Sequence, residues 1–213
     1  MDLGASTPRQ SAGEVAIQKA AVRLFSEKGY NAVSMREVAQ AAGVSKANIY
    51  HHFSSKEALY QAILQTSAAE LSGLVNELAE STGSFAVRIA EFSRAHLAHL
   101  DGNALTSRVI LREAFSGDDT RSKELVDETF GEIFRRMVSI FRAGQEAGEL
   151  RRDLDPALCA TLLMGADVFF FQASGLLRHI PQAQFANRPS QFSQEMVETM
   201  LNGMLSREVK DDA

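Results

Sequence analysis

A chain of 213 residues, 45% of them apolar, can build one large domain or a small module joined to a larger one around a packed core. Four prolines, long apolar periodicities and no alternating runs rich in Val, Ile and Thr exclude a sheet protein and predict an all-α fold. The net charge of −5 is unevenly spread: residues 1–56 carry seven Lys and Arg against four Asp and Glu, the remainder fifteen against twenty-three, so a basic first quarter joins an acidic body.

Residues 1–11 read as a disordered arm, and MDLGASTPRQSAGE lacks the cationic start and apolar stretch of a signal peptide. Ile17, Ala20, Ala21, Leu24 and Phe25 form one apolar stripe at helical spacing, and Gly29 stands where a helix end favours αL geometry. Ser34 and Glu37 have the spacing of a capping box, which starts a second helix from about Met35 to Ala41. Gly43 supplies the turn and Ser45 the N-cap of a two-turn helix, KANIYHH. Ser54 and Glu57 repeat the capping-box spacing and open a longer helix to about Leu78. Further helices are predicted near 84–101, 104–116, 119–148, 156–178 and 190–206, punctuated by glycines and by Asp155-Pro156, an N-cap followed by a proline at the first helical position. That makes about nine helices in two units, 12–56 and 57–213.

The only cysteine, Cys159, excludes an intrachain disulfide and fits a reducing, cytoplasmic setting, with a small buried hydrophobe as its plain role. The most apolar run, LLMGADVFFF at 162–171, is interrupted by Asp167 and is too short to span a bilayer, so no membrane is expected.

Between Val38 and His52 the steric demands are tight. Ala39 must be small where two helices cross steeply, and Gly43 suits the reversal after the second helix. Val38, Val44, Ile49 and Phe53 point inward, which turns Lys46, Ala47, Asn48, Tyr50 and His51 outward on a helix suited to a major groove. The segment FSEKGYNAVSMREVAQAAGVSKANIYHHFSSKEALY, residues 25–60, resembles the DNA-binding module of TetR-type repressors. Gly-Tyr after the first helix, the Ser-capped second helix, Ala-Gly-Val-Ser, Ile-Tyr, His-Phe and Ser-Lys-Glu follow in the family's order over about fifty residues. The C-terminal region matches only in helical layout.

The resemblance implies an N-terminal three-helix helix-turn-helix domain on a C-terminal ligand-binding and dimerisation domain. It implies phosphate contacts for Tyr50 and Lys56, with Ser34 adding one from the start of the second helix. Lys46, Ala47 and Asn48, behind Ser45, would meet base edges, and Arg36 could reach a guanine. His51 can serve either purpose, while His52 packs with Phe53. One module reads only a half-site, so the operator is expected to be palindromic double-stranded DNA bound by a homodimer. In the family the last two helices dimerise, here 156–178 and 190–206. Phe169, Phe170 and Phe171 agree, since three consecutive residues cover about 200° of a helix and one face cannot hide them. A fully buried helix within one subunit is the other reading.

Phe130, Phe134, Met137 and Phe141 form a second stripe that either fills the core or lines a pocket, and Phe92, Phe134 and Phe169 are candidate pocket residues. Arg112 and Glu113, mid-helix in VILREAF, either reach solvent or serve a ligand. His96 and His99 share a helical face, but no nearby Cys or carboxylate pattern supports a metal, which leaves a solvated or pocket-edge role. The adjacent His51 and His52 point about 100° apart and form no metal cage. No phosphate-binding loop, dinucleotide fingerprint, nucleophile elbow or HExxH occurs, so neither cofactor nor catalysis is expected. The expected function is repression relieved by a small apolar or amphipathic effector. A dimeric regulator governed by a protein partner, with no inducer, is the alternative.

Overall fold

The computed structural model describes residues 11–115, 123–124 and 126–204. The arm expected over 1–11 lies, except for Ser11, outside the described residues, as do positions 119–122 and 125 and the last two residues of the helix expected over 190–206. The described residues form nine α-helices: α1 (Ala12–Lys28), α2 (Met35–Ala42), α3 (Lys46–His52), α4 (Lys56–Glu80), α5 (Phe85–Gly102), α6 (Ala104–Ala114), α7 (Gly131–Glu146), α8 (Pro156–Leu177) and α9 (Pro189–Met204). A π-helical turn, Val126–Phe130, interrupts the helix expected from 119 to 148 before α7, which ends at Glu146.

Local chemistry explains the boundaries. Ser34 and Glu37 form a full capping box, and Ser45 accepts the amide of Asn48 at 3.1 Å. A second full box, Ser11 with Glu14, starts α1 one residue after the expected arm. The cap of α4 is Ser55, which accepts the Ala58 amide at 3.0 Å, rather than the expected Ser54. Glu57 instead accepts a 2.6 Å hydrogen bond from the Tyr30 hydroxyl, a tertiary contact. Asp155 caps α8 through Ala157 with Pro156 in the first turn, as expected. Gly43 adopts αL at φ 68° and ψ 27°. Gly29 leaves α1 at φ 88° and ψ 153°, a region just as closed to L side chains but not the αL state expected.

Two apolar clusters organise the packing. The first joins Ile17, Phe25, Val38 and Ile49 of α1–α3 to Leu59, Ile63 and Leu64 of α4, and takes in Val109 and Ile110 of α6. The second brings α4, α5, α7, α8 and α9 together around Val75, Ile89, Met137, Phe141 and Leu163. Because α4 is unbroken from Lys56 to Glu80, the two units share a helix and not merely a linker.

Of the three consecutive phenylalanines, Phe170 and Phe171 are buried and Phe169 is 66% exposed. By length and composition α8 is long and apolar enough to cross a bilayer. The expectation of too short a run considered 162–171 alone, whereas the flanking PALCAT and QASGLL are also uncharged. Its inner face packs on α5 and α7, with Cys159, Leu163 and Phe170 buried.

Candidate nucleic-acid interface and body cavity

The first cluster holds α3 by Ile49 and Phe53, both buried, and α2 by Val38 and Ala39. Val44, in the turn, is half-buried against it. Seated this way, α3 turns Ser45, Lys46, Ala47, Asn48, Tyr50 and His51 to solvent, and α2 exposes Ser34 and Arg36. Tyr50 is 46% exposed, a large aromatic that the fold leaves uncovered. His52 is half-buried, with its ring 6.4 Å from Phe53.

Lys56 has more to do within the fold than the sequence suggests. Its ammonium donates to the carbonyls of Tyr30 at 2.9 Å and Val33 at 3.0 Å and lies 4.3 Å from the centre of the Tyr30 ring. It thereby pins the start of α4 to the loop that leads into α2, using two of its three donors. Lys28 pairs with Glu37 at 3.0 Å across the same region. The Ser34 backbone amide and then Lys28 hold the Glu37 carboxyl down at about 2.

Behind this module lies an apolar cavity of 330 Å³ between α4, α5, α6, α7 and α8, walled by Leu71, Leu100, Ile110, Phe134 and Met164, among others. Its polar lining consists of His96, His99, Ser67 and Ser107. A groove of 820 Å³ beside α1 is larger but more polar, with Lys19, Arg23, Glu70 and Asp101 set among its apolar wall residues.

The expected pocket residues divide. Phe134 and His96 line the cavity, but Phe92 does not: it is buried in the second cluster and stacks on the His96 ring at 5.6 Å. Phe169 lies on the outer face of α8, away from the cavity, because its two neighbours take the inward positions. Arg112 is exposed and is not a wall of the cavity. Its guanidinium donates to the carbonyl of Phe25 and so ties α6 to the last turn of α1. Glu113 is half-buried on the same helix and is not a wall of the cavity.

One buried assembly escaped sequence reasoning. Ser193 on α9 donates to Ser93 on α5 at 2.9 Å, and Ser93 donates to Oδ1 of Asp167 on α8 at 2.8 Å. Oδ2 of the same carboxyl lies 3.0 Å from Nδ1 of His96. Burial pushes the Asp167 carboxyl upward, against the pull of His96 and Ser93. The signal was the charge itself: an Asp in the middle of an apolar helix must find partners if it is buried. His99, half-buried, lies 3.5 Å from Glu70, and burial pulls its imidazole downward more than Glu70 raises it. Among the described residues no three His, Cys, Asp or Glu side chains gather as a metal site.

Two short helices crossing on a tight turn, the second presenting polar and cationic side chains, define a helix-turn-helix DNA-binding regulator. The family profile "Bacterial regulatory proteins, tetR family" matches residues 17–63. The HTH-type transcriptional repressor DhaR of Mycobacterium sp. (strain GP1) is 30% identical over 149 residues, 68% of this chain and 73% of DhaR. The HTH-type transcriptional regulator UidR of Escherichia coli K12 is 25% identical over 89% of this chain and 91% of its own. A tetR-family regulatory protein from Rhodococcus RHA1 shares the fold at a TM-score of 0.72 and 21% identity, over 91% of this chain and 97% of that one. The chain belongs to the tetR family of bacterial transcriptional regulators.

Proposed function

We propose that the protein is a homodimeric repressor that a small apolar or amphipathic ligand releases from a palindromic operator. The observation carrying the DNA-binding part is the exposure of Lys46, Ala47, Asn48, Tyr50 and His51 on a helix anchored by Ile49 and Phe53. Lys46, Ala47 and Asn48 meet base edges, with Arg36 beside them, while Ser34, Ser45 and Tyr50 position the phosphates. Lys56 offers its remaining donor to phosphate while it holds the α2 loop in place.

Dimerisation is supported by an exposed apolar stripe on α8. Leu158, Leu162, Phe169 and Leu176 stand on one outer face, interrupted by Gly165, where a second helix can approach closely. Release is supported by α6, whose Ile110 and Leu111 line the cavity while its Arg112 holds the end of α1. A ligand that displaces α6 shifts the module it grips, and a dimer whose recognition helices leave the operator spacing loses affinity to the extent that the ligand prefers that state. The cavity favours this reading over control by a protein partner, for which a solid body would serve.

Gel shifts on the DNA upstream of the protein's own gene, with a salt series, test it. A dimer should bind one palindromic site with affinity falling steeply with salt, and Tyr50→Ala should weaken binding at least tenfold with the fold intact. No binding of any upstream site in the absence of ligand overturns the repressor reading.

A further inference from the structure

We infer that the body cavity takes a neutral, mostly apolar molecule bearing a single hydroxyl group, a phenol or an alcohol, which donates its proton to Nε2 of His96. The inference rests on the proposed ligand-controlled function and specifies the chemistry of the ligand.

The position of Asp167 sets the tautomer. With Asp167 ionised, Oδ2 accepts from Nδ1 of His96, 3.0 Å away, and we take the ring to carry that proton alone, which leaves Nε2 an acceptor. The ring cannot readily turn away. One face stacks on Phe92, and Asp167 is fixed in turn by Ser93, itself bonded to Ser193. His96 lines the cavity, yet Nε2 makes no hydrogen bond among the described residues. It is the acceptor left over once the buried chain of Ser193, Ser93 and Asp167 has been satisfied.

The rest of the wall discriminates against anions. Among the described residues no Lys or Arg lines the cavity. His99, the other imidazole, is held toward its neutral form by burial. A carboxylate would enter low-dielectric space with the Asp167 carboxyl one ring away and no Lys or Arg among the described wall residues to meet it. The hydroxyl of Ser107, also at the wall, is already spent on the carbonyl of Leu100. At 330 Å³ the cavity is at the small end of the range for ligand sites, about 300–1,000 Å³, which suits a single ring or a short branched chain.

Calorimetric titration of the full-length protein with 4-tert-butylphenol, 4-tert-butyltoluene and 4-tert-butylbenzoate separates the alternatives, since the three probes differ only in the group presented to His96. The phenol should bind about tenfold more tightly than the toluene, the value of one well-made hydrogen bond, and more tightly than the benzoate by a larger factor. In His96→Phe that preference should shrink to less than about twofold while toluene binding persists. If the variant does not fold, histidine ¹⁵N spectra of the wild type decide instead. They should show a ring protonated at Nδ1 whose Nε2 resonance moves on adding the phenol and not on adding the toluene. Equal affinities, or tightest binding of the benzoate, overturn the hydroxyl inference and leave a ligand-controlled regulator standing. Binding of none of the three overturns the cavity assignment together with the small-molecule part of the proposed function, while gel shifts judge DNA binding separately.

Discussion

Glu37 illustrates how a single side chain can serve two elements. It closes the capping box on Ser34 and pairs with Lys28, joining the start of α2 to the end of α1. Its carboxyl sits at about 2, below the ordinary 4.5, so the folded state favours the charged form. The contribution is therefore complete above about pH 4.5 and is lost as pH falls toward 2. Thermal melts of Glu37→Gln should lie below wild type at pH 7, with the gap closing as pH drops from 4.5 toward 2. A gap that stays constant would mean that the charge contributes nothing.

At the scale of elements, the contact between α5 and α7 depends on a missing side chain. A Cβ on Gly144 would lie 2.9 Å from two ring atoms of Phe85 and 3.0 Å from Leu150 Cδ1, both residues being almost fully buried. Alanine is the better helix former by about 1 kcal/mol. Overpacking a rigid site costs about 1–3 kcal/mol, so the steric penalty should win. Urea unfolding of Gly144→Ala is expected to show a lower midpoint with an unchanged slope. A midpoint equal to or above that of wild type would show that Phe85 can move aside.

For the whole molecule, the outward face of α8 is the feature a single subunit does not explain. Phe169→Asp places a charge in the middle of the apolar stripe, at a residue that belongs neither to the recognition helix nor to the wall of the cavity. Analytical ultracentrifugation at micromolar concentration should find the variant shifted to monomer, with the dimer dissociation constant raised at least tenfold, and operator affinity should fall with it. An unchanged dimer would place the interface elsewhere.

How much of this was legible in the sequence follows from the range of the forces involved. The all-α fold, the caps at Ser34, Ser45 and Asp155, the turn at Gly43 and the outward set on α3 were readable because each depends on neighbours within a few residues. What came from afar was hidden. Lys56 spends its donors on carbonyls more than twenty residues away, Glu57 accepts from the Tyr30 hydroxyl, and Arg112 reaches back 87 residues to Phe25. Periodicity placed three phenylalanines on α8 but could not say which one faces outward. It showed Asp167 as an interruption without showing that Ser93 and His96 wait for it across the core. The sequence by itself determined the helices and the outward surface of α3, because short-range hydrogen bonding and apolar spacing suffice for those. Only the tertiary structure decided the cavity and its buried Ser–Asp–His chain, because their parts lie on different helices that meet only when the body packs.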